Sequence, residues 1–196
     1  MAPTEPAPRL APLPPEQWDD LLTRVLENSP GGLEEPMHIF ATLARAPENL
    51  FRRWLGFGAA LLGDGTLPPR LRELVILRTA CRFDGRYEWA QHLEIAEREG
   101  VTPDELAALG GDLDAVAWSP LERAALRAVD ETAADGCVAD ATWSTLAAEL
   151  DDAEMVELLM VIAHYLMLAT VLRSLGVQLE PRAHAAAARV PGGPGA

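Results

Sequence analysis

Lysine is absent from this 196-residue chain, and all sixteen basic side chains are arginine. Without an ε-amine, Schiff-base catalysis and lysine nucleophiles are excluded whatever the fold. Cysteine is scarce too. Cys81 and Cys137 are too few and too far apart to form a disulfide framework or a zinc site, which makes a reducing cytoplasm the expected compartment. Nor does the chain hold a glycine-rich phosphate loop, a dinucleotide fingerprint, or His, Cys, Asp and Glu at metal-ligand spacing, so neither cofactor nor metal is expected. The longest apolar run, Leu158 to Leu172, falls short of the about 20 residues a membrane span needs and carries His164 in its middle. It reads as a buried helix, and no membrane partner is expected. Met1 to Pro15 is proline-rich and lacks a cationic start followed by an apolar stretch, so it does not read as a signal peptide.

What the chain does hold is acid. Thirty acidic residues against sixteen basic ones leave a net charge of −14, which repels phosphate backbones and removes nucleic acid from the expected partners. The 49% hydrophobic content suffices for one core. Residues 1–14 read as a disordered tail, 15–180 as a helical domain and 181–196 as a second disordered tail.

β-branched alternation is missing while Ala, Leu, Glu and Arg dominate, so the fold class is all-α with about 8–9 helices. Pro14 and Pro15 open a first helix carrying Trp18, Leu21, Leu22 and Val25, and helices follow near 37–46 and from Pro47 to Gly63. A fourth, near 68–83, is apolar on most of its girth and should lie inside the protein. Asp84-Gly85 breaks it, and a fifth helix over 87–99 folds back as an antiparallel hairpin. Thr102 to Glu105 and Ser119 to Glu122 are capping-box starts for two more. Helices from about Asp140 and from Asp151 to Leu175 complete the domain.

Glu88 and His92, four apart on the fifth helix, stack on one face as an acid/base pair, although the same spacing serves an ordinary surface pair. Glu73 interrupts the most apolar helix, where a carboxylate must be paired or functional; Arg70, one turn earlier, is its nearest helical partner. Ideal hairpin geometry puts Glu73 about one turn, ~6 Å, below His92, within direct or water-mediated reach. Arg70, Arg72, Arg78, Arg82 and Arg86 crowd the same hairpin, where they can hold a substrate carboxylate or simply pair with neighbouring acids. Cys81 reads as a small buried residue, and His164 as a core histidine that faces the site if the helices pack together.

Residues 67–78 (LPPRLRELVILR) and 87–92 (YEWAQH) resemble the signature of the carboxymuconolactone decarboxylase family, part of the alkylhydroperoxidase D-like superfamily. The resemblance continues more loosely from about Phe40 through 119–126 (SPLERAAL) to the last helix. It implies a helical bundle, a homo-oligomer (dimer, trimer or hexamer) and a small-molecule substrate. His92, Glu88 and Glu73 become the expected catalytic residues, with Arg82, Arg86 and Tyr87 as substrate-binding ones. The family's peroxidase branch carries Cys-x-x-Cys ending four residues before the histidine; here those positions are Gly85 and Glu88. The implied reading is a cofactor-independent acid/base lyase acting on a small carboxylated or lactone-like metabolite. A non-catalytic oligomeric or ligand-binding relative is the alternative, and a thiol peroxidase is disfavoured.

Overall fold

The computed structural model describes residues 7–190 and 192–194, and every regular element among them is helical. Ten α-helices run in chain order: α1 (Asp20–Glu27), α2 (His38–Leu43), α3 (Glu48–Gly63), α4 (Pro69–Arg82), α5 (Arg86–Arg98), α6 (Pro103–Gly110), α7 (Pro120–Asp135), α8 (Asp140–Leu146), α9 (Asp152–Leu175) and α10 (Pro181–Ala187).

Local chemistry fixes most boundaries. Capping boxes start α6 (Thr102 with Glu105), α7 (Ser119 with Glu122) and α9 (Asp151 with Glu154), each satisfying otherwise orphaned N–H groups. Gly136 and Gly176 end α7 and α9 in the left-handed conformation that favours glycine. The first helix differs from the sequence reading. Pro15–Gln17 makes only a 3-10 turn, and α1 begins after Asp19, whose side chain accepts from the Leu22 N–H. Trp18 lies between them and donates its indole N–H to the Leu13 carbonyl.

Helix α4 is the axis of the molecule. Leu71, Val75 and Ile76 face one apolar cluster, shared with α7 and α9; Leu74, Leu77 and Ala80 face a second, shared with α5 and α6. Lying between two cores explains why its sequence is apolar all round. Helix α9 spans 24 residues and, by length and composition alone, would suffice to cross a membrane. In the fold its buried side, Leu158, Val161, Ile162, Tyr165 and Ala169 among others, packs on α4 and α5.

Both segments expected to be disordered tails make specific contacts where they are described. Arg9 and Leu10 donate backbone N–H groups to the Leu175 carbonyl, and Leu13 to that of Ala41. Pro181–Ala187, the helix the sequence reading lacks, buries Ala183 and Ala186 and packs on α5. Residues 1–6, 191, 195 and 196, also assigned to those tails, lie outside the described residues.

The arginines of the hairpin act as clamps. Arg70 reaches the capping-box glutamates of two other helices, Glu105 at 2.6 Å and Glu122 at 2.8 Å, tying the starts of α4, α6 and α7 together. Arg78 bridges both Asp130 oxygens at 2.9 Å and donates to the Leu109 carbonyl.

Candidate active site

Helix α4 buries Glu73 completely and α5 presents His92 beside it, with Glu73 Oε2 2.7 Å from His92 Nδ1. The contact is direct, the two side chains spanning the axial offset expected of the hairpin. Glu73's other oxygen, Oε1, accepts from Arg72 Nε at 3.2 Å. Arg70, the partner expected from helical spacing, is spent on Glu105 and Glu122. On its far side the His92 ring meets α9, where Nε2 lies 2.9 Å from the Tyr165 hydroxyl and the rings sit edge to face at 5.0 Å. A continuous polar chain, Arg72–Glu73–His92–Tyr165, therefore runs through the core. Tyr165 was not singled out in the sequence, because a tyrosine within an apolar helix reads as core; its hydroxyl, which must find a partner once buried, was the available signal.

The electrostatics of the chain follow from burial and pairing. Burial pushes the Glu73 carboxyl up, but the hydrogen bond and charge of His92, together with Arg72, outweigh it and leave Glu73 below the usual carboxylate range. Glu73 is thus the ionised acceptor for an N–H at Nδ1, and Nε2 is left to exchange a proton with Tyr165. Burial first, then the charges of Glu73 and Glu88, hold the Tyr165 phenol well above its ordinary value, so it is neutral and able to donate.

Glu88 departs from expectation. It makes no hydrogen bond to His92: both carboxylate oxygens are buried without a hydrogen-bond partner. Burial raises it to about 7, with its own backbone N–H pulling the other way. The Tyr87 hydroxyl is committed to the fold. It donates to Glu180 Oε1 at 2.7 Å and accepts the Ile39 N–H, while Gln91 holds the other Glu180 oxygen. Glu180, a buried carboxylate that the sequence reading placed in the domain's last residues without a role, thereby fastens the entry to α10 onto α5 and α2.

The chain opens onto a cavity of about 350 Å³ walled by α2, α3, α5 and α9. Its apolar lining includes Ile39, Phe40, Trp54, Leu62 and Leu168; Glu88, His92, His164, Tyr165 and Tyr87 are the titratable residues that line it. His164 faces this space, stacked edge-on between Phe57 and Tyr165, and its Nδ1 has no partner. Burial, then the neighbouring His92 charge, lower it to about 4, so its imidazole is neutral near pH 7.

The two arginines expected to bind substrate are elsewhere. Arg82 pairs with Asp130 at 3.3 Å and Arg86 with Asp84 at 3.6 Å. Both stand near the hairpin turn, where local acids capture them, and no arginine lines the His92 cavity among the described residues. Cys81 is remote from a reactive role, burial raising its thiol to about 12 against the opposing charge of Arg78. Among the described residues no group of three or more His, Cys, Asp and Glu side chains is placed to hold a metal ion.

Residues 48–131 match the model of the carboxymuconolactone decarboxylase family, a stretch that starts with α3, ends in α7 and contains Glu73, Glu88 and His92. Over that stretch the chain resembles the carboxymuconolactone decarboxylase family, and its described residues share the all-helical fold of alkylhydroperoxidase D-like structures. Solved structures share its fold at low identity. The debrominase Bmp8 in complex with 2,3,4-tribromopyrrole superposes with a TM-score of 0.75 at 17% identity, covering 92% of this chain and 96% of that one. An alkylhydroperoxidase AhpD core protein, an uncharacterized peroxidase-related protein from Ralstonia eutropha JMP134, gives 0.75 at 18% identity over 89% and 94%. Another peroxidase-related protein, from Silicibacter sp. TM1040, gives 0.74 at 15% over 94% and 95%. No curated protein sequence matches the chain.

Proposed function

We propose that this chain is a cofactor-independent acid/base enzyme in which His92 moves a proton at a small substrate held in the α2–α3–α5–α9 cavity. The observation that carries this reading is the Glu73–His92–Tyr165 chain, buried in the core and opening onto a space of ligand size. Glu73 accepts the N–H at Nδ1 and fixes the tautomer, so that Nε2 is the atom that exchanges protons with the substrate.

The chemistry that fits is proton transfer at carbon beside a lactone or ketone carbonyl. His92 Nε2 takes the α-proton, the C–H electron pair moves into the ring as an enolate, and the Tyr165 O–H, released from Nε2, donates to the enolate oxygen. The imidazolium then returns the proton to the same or a conjugated carbon, and Glu73 balances the charge throughout. Loss of carbon dioxide from a β-carboxylated substrate would give the same enolate, with reprotonation as the shared second step. The cavity supplies no arginine for that carboxylate, which favours the lactone-like substrate over the carboxylated one. Gly85 and Glu88 at the dithiol positions, together with the half-buried, lone Cys81 of the hairpin, argue against a thiol peroxidase cycle.

Incubating the protein in D₂O with a panel of small lactones and cyclic ketones, and following loss of α-proton signals by NMR, tests the reading. Exchange above the buffer rate with wild type, lost in His92→Ala, is expected. Equal exchange by wild type and His92→Ala across the panel would sink it.

A further inference from the structure

The His92 cavity is fitted for one kind of guest. Its lining holds no lysine, because the chain has none, and no arginine. The Arg72 guanidinium is held on Glu73, and His92 has Nδ1 on the same carboxylate. An anionic guest would therefore find no arginine or lysine; any charge on His92 already faces Glu73, and Glu88 is the carboxyl of the lining. Yet the wall is not purely apolar. Glu88, His164 and Trp54 all line it, and all keep buried polar atoms without partners: both Glu88 oxygens, His164 Nδ1 and Trp54 Nε1. Glu88 is 3% exposed and His164 5%, so water does not readily meet their needs. Unpartnered buried polar groups of this kind are rare in folded proteins and costly, and the three residues that carry them all line this one cavity.

We infer that the cavity selects a neutral, ring-sized, largely apolar molecule carrying a hydroxyl or N–H donor and rejects carboxylates of the same shape. The apolar wall covers the ring, while the donor and an adjoining acceptor satisfy Glu88, His164 and Trp54. This rests on the reading of the cavity as the reaction site and narrows its substrate class, excluding the carboxylated half of that class.

Gly58 offers a way to close the site without disturbing the core. It lines the cavity, and a Cβ built there meets only His164 Nε2, at 3.8 Å. Titration calorimetry of the full chain at pH 7.5 with 2-naphthol, 2-naphthoate and naphthalene tests the inference. Naphthol should bind, with naphthoate and naphthalene each at least tenfold weaker, and Gly58→Leu should abolish binding while the melting temperature holds. Glu88→Gln should narrow the gap between naphthol and naphthoate. Naphthoate binding as tightly as naphthol would overturn the inference, as would naphthol failing to bind wild type or binding Gly58→Leu unchanged. The measurement requires no turnover: selective binding without proton exchange in the D₂O assay would sink the proposed reaction and leave the selectivity standing.

Discussion

The Glu88 carboxyl occupies the space a side chain at Gly85 would need, since a Cβ on Gly85 would lie 2.8 Å from Glu88 Oε2. These are the two positions that hold the dithiol in the family's peroxidase branch, and here they form an interlocked pair. The same Cβ would stand 3.1 Å from the Ala169 Cβ and 3.3 Å from the Ala80 Cα, which are less able to yield than a carboxyl end. Gly85→Ala should therefore destabilise the fold by about 1–3 kcal/mol, the usual cost of overpacking, and displace the Glu88 side chain. Chemical denaturation would read the loss; unchanged stability would show that the pair is not interlocked.

Glu88 should leave a signature in the pH dependence of stability. Its carboxyl rises from 4.5 to about 7 on folding, so the folded state holds the proton longer than the unfolded chain does. Below pH 4.5 the burial is free of charge cost; stability falls as pH climbs to about 7 and stays reduced above it, by on the order of 3 kcal/mol at about 1.4 kcal/mol per unit. Glu88→Gln removes this slope. Relative to wild type it should gain stability at pH 8 and lose the gain by pH 4.5, and an equal difference at both pH values would count against a buried, unpaired carboxyl.

How much of this was legible can be judged residue by residue. Glu73 was legible because a carboxylate that breaks an apolar helix needs a reason, and His92 because it stacks with Glu88 four residues earlier on one helical face. Arg70 was misassigned because helical spacing sees only one helix; two glutamates brought from α6 and α7 outbid Glu73, and the adjacent Arg72 took its place. Tyr165 was hidden in a run of core residues, its hydroxyl meaningful only once α9 lay against α5. The 181–187 helix was hidden by alanine-rich composition. Its signals were Pro181 at the first helical position and the buried Glu180, whose partners Tyr87 and Gln91 lie about ninety residues away.

The thiols should behave unequally. Cys137 is exposed, whereas Cys81 is half-buried with its thiol raised to about 12. Ellman's reagent should modify one thiol quickly in the native protein and the second only on unfolding, because the thiolate is the reactive form. No hydroperoxide reduction supported by a dithiol donor is expected. Turnover that Cys81→Ser abolishes would reverse this assignment.

Helix α9 carries an unburied apolar stripe, with Val156, Met160 and Met167 exposed at helical spacing, beside exposed Leu50 and Phe57 of α3. Phe57 and His164 rings, 5.2 Å apart, join the two faces. A patch of this kind is expected to be covered by a second copy of the chain, and Met160→Glu with Met167→Glu should shift the mass by light scattering to that of a monomer. A wild-type monomer at micromolar concentration would reject self-association.

The polar chain through His92 makes the sharpest prediction, because its members should fail in different ways. His92→Ala removes the proton carrier and should lower turnover by about 10²- to 10⁴-fold, the range typical of general acid/base catalysis. Tyr165→Phe keeps the ring and its edge contact but removes the donor to Nε2 and to the enolate, so kcat should fall with KM nearly unchanged. Glu73→Gln has two effects. It leaves Arg72 and His92 without their buried carboxylate, at a cost of about 3–5 kcal/mol, and its amide can donate to Nδ1 and so impose the wrong tautomer. The linkage has a sign as well. The Glu73 carboxyl lies below 4.5 in the folded state, so its contribution is present above that value and disappears as pH falls through the lowered folded value; wild type should lose more stability on acidification than Glu73→Gln. A purely structural chain predicts lower melting temperatures with activity per folded molecule intact. Measuring kcat on folded protein separates the two, and full activity in both His92→Ala and Tyr165→Phe would move the reaction centre away from this chain, with His164 next to be tested.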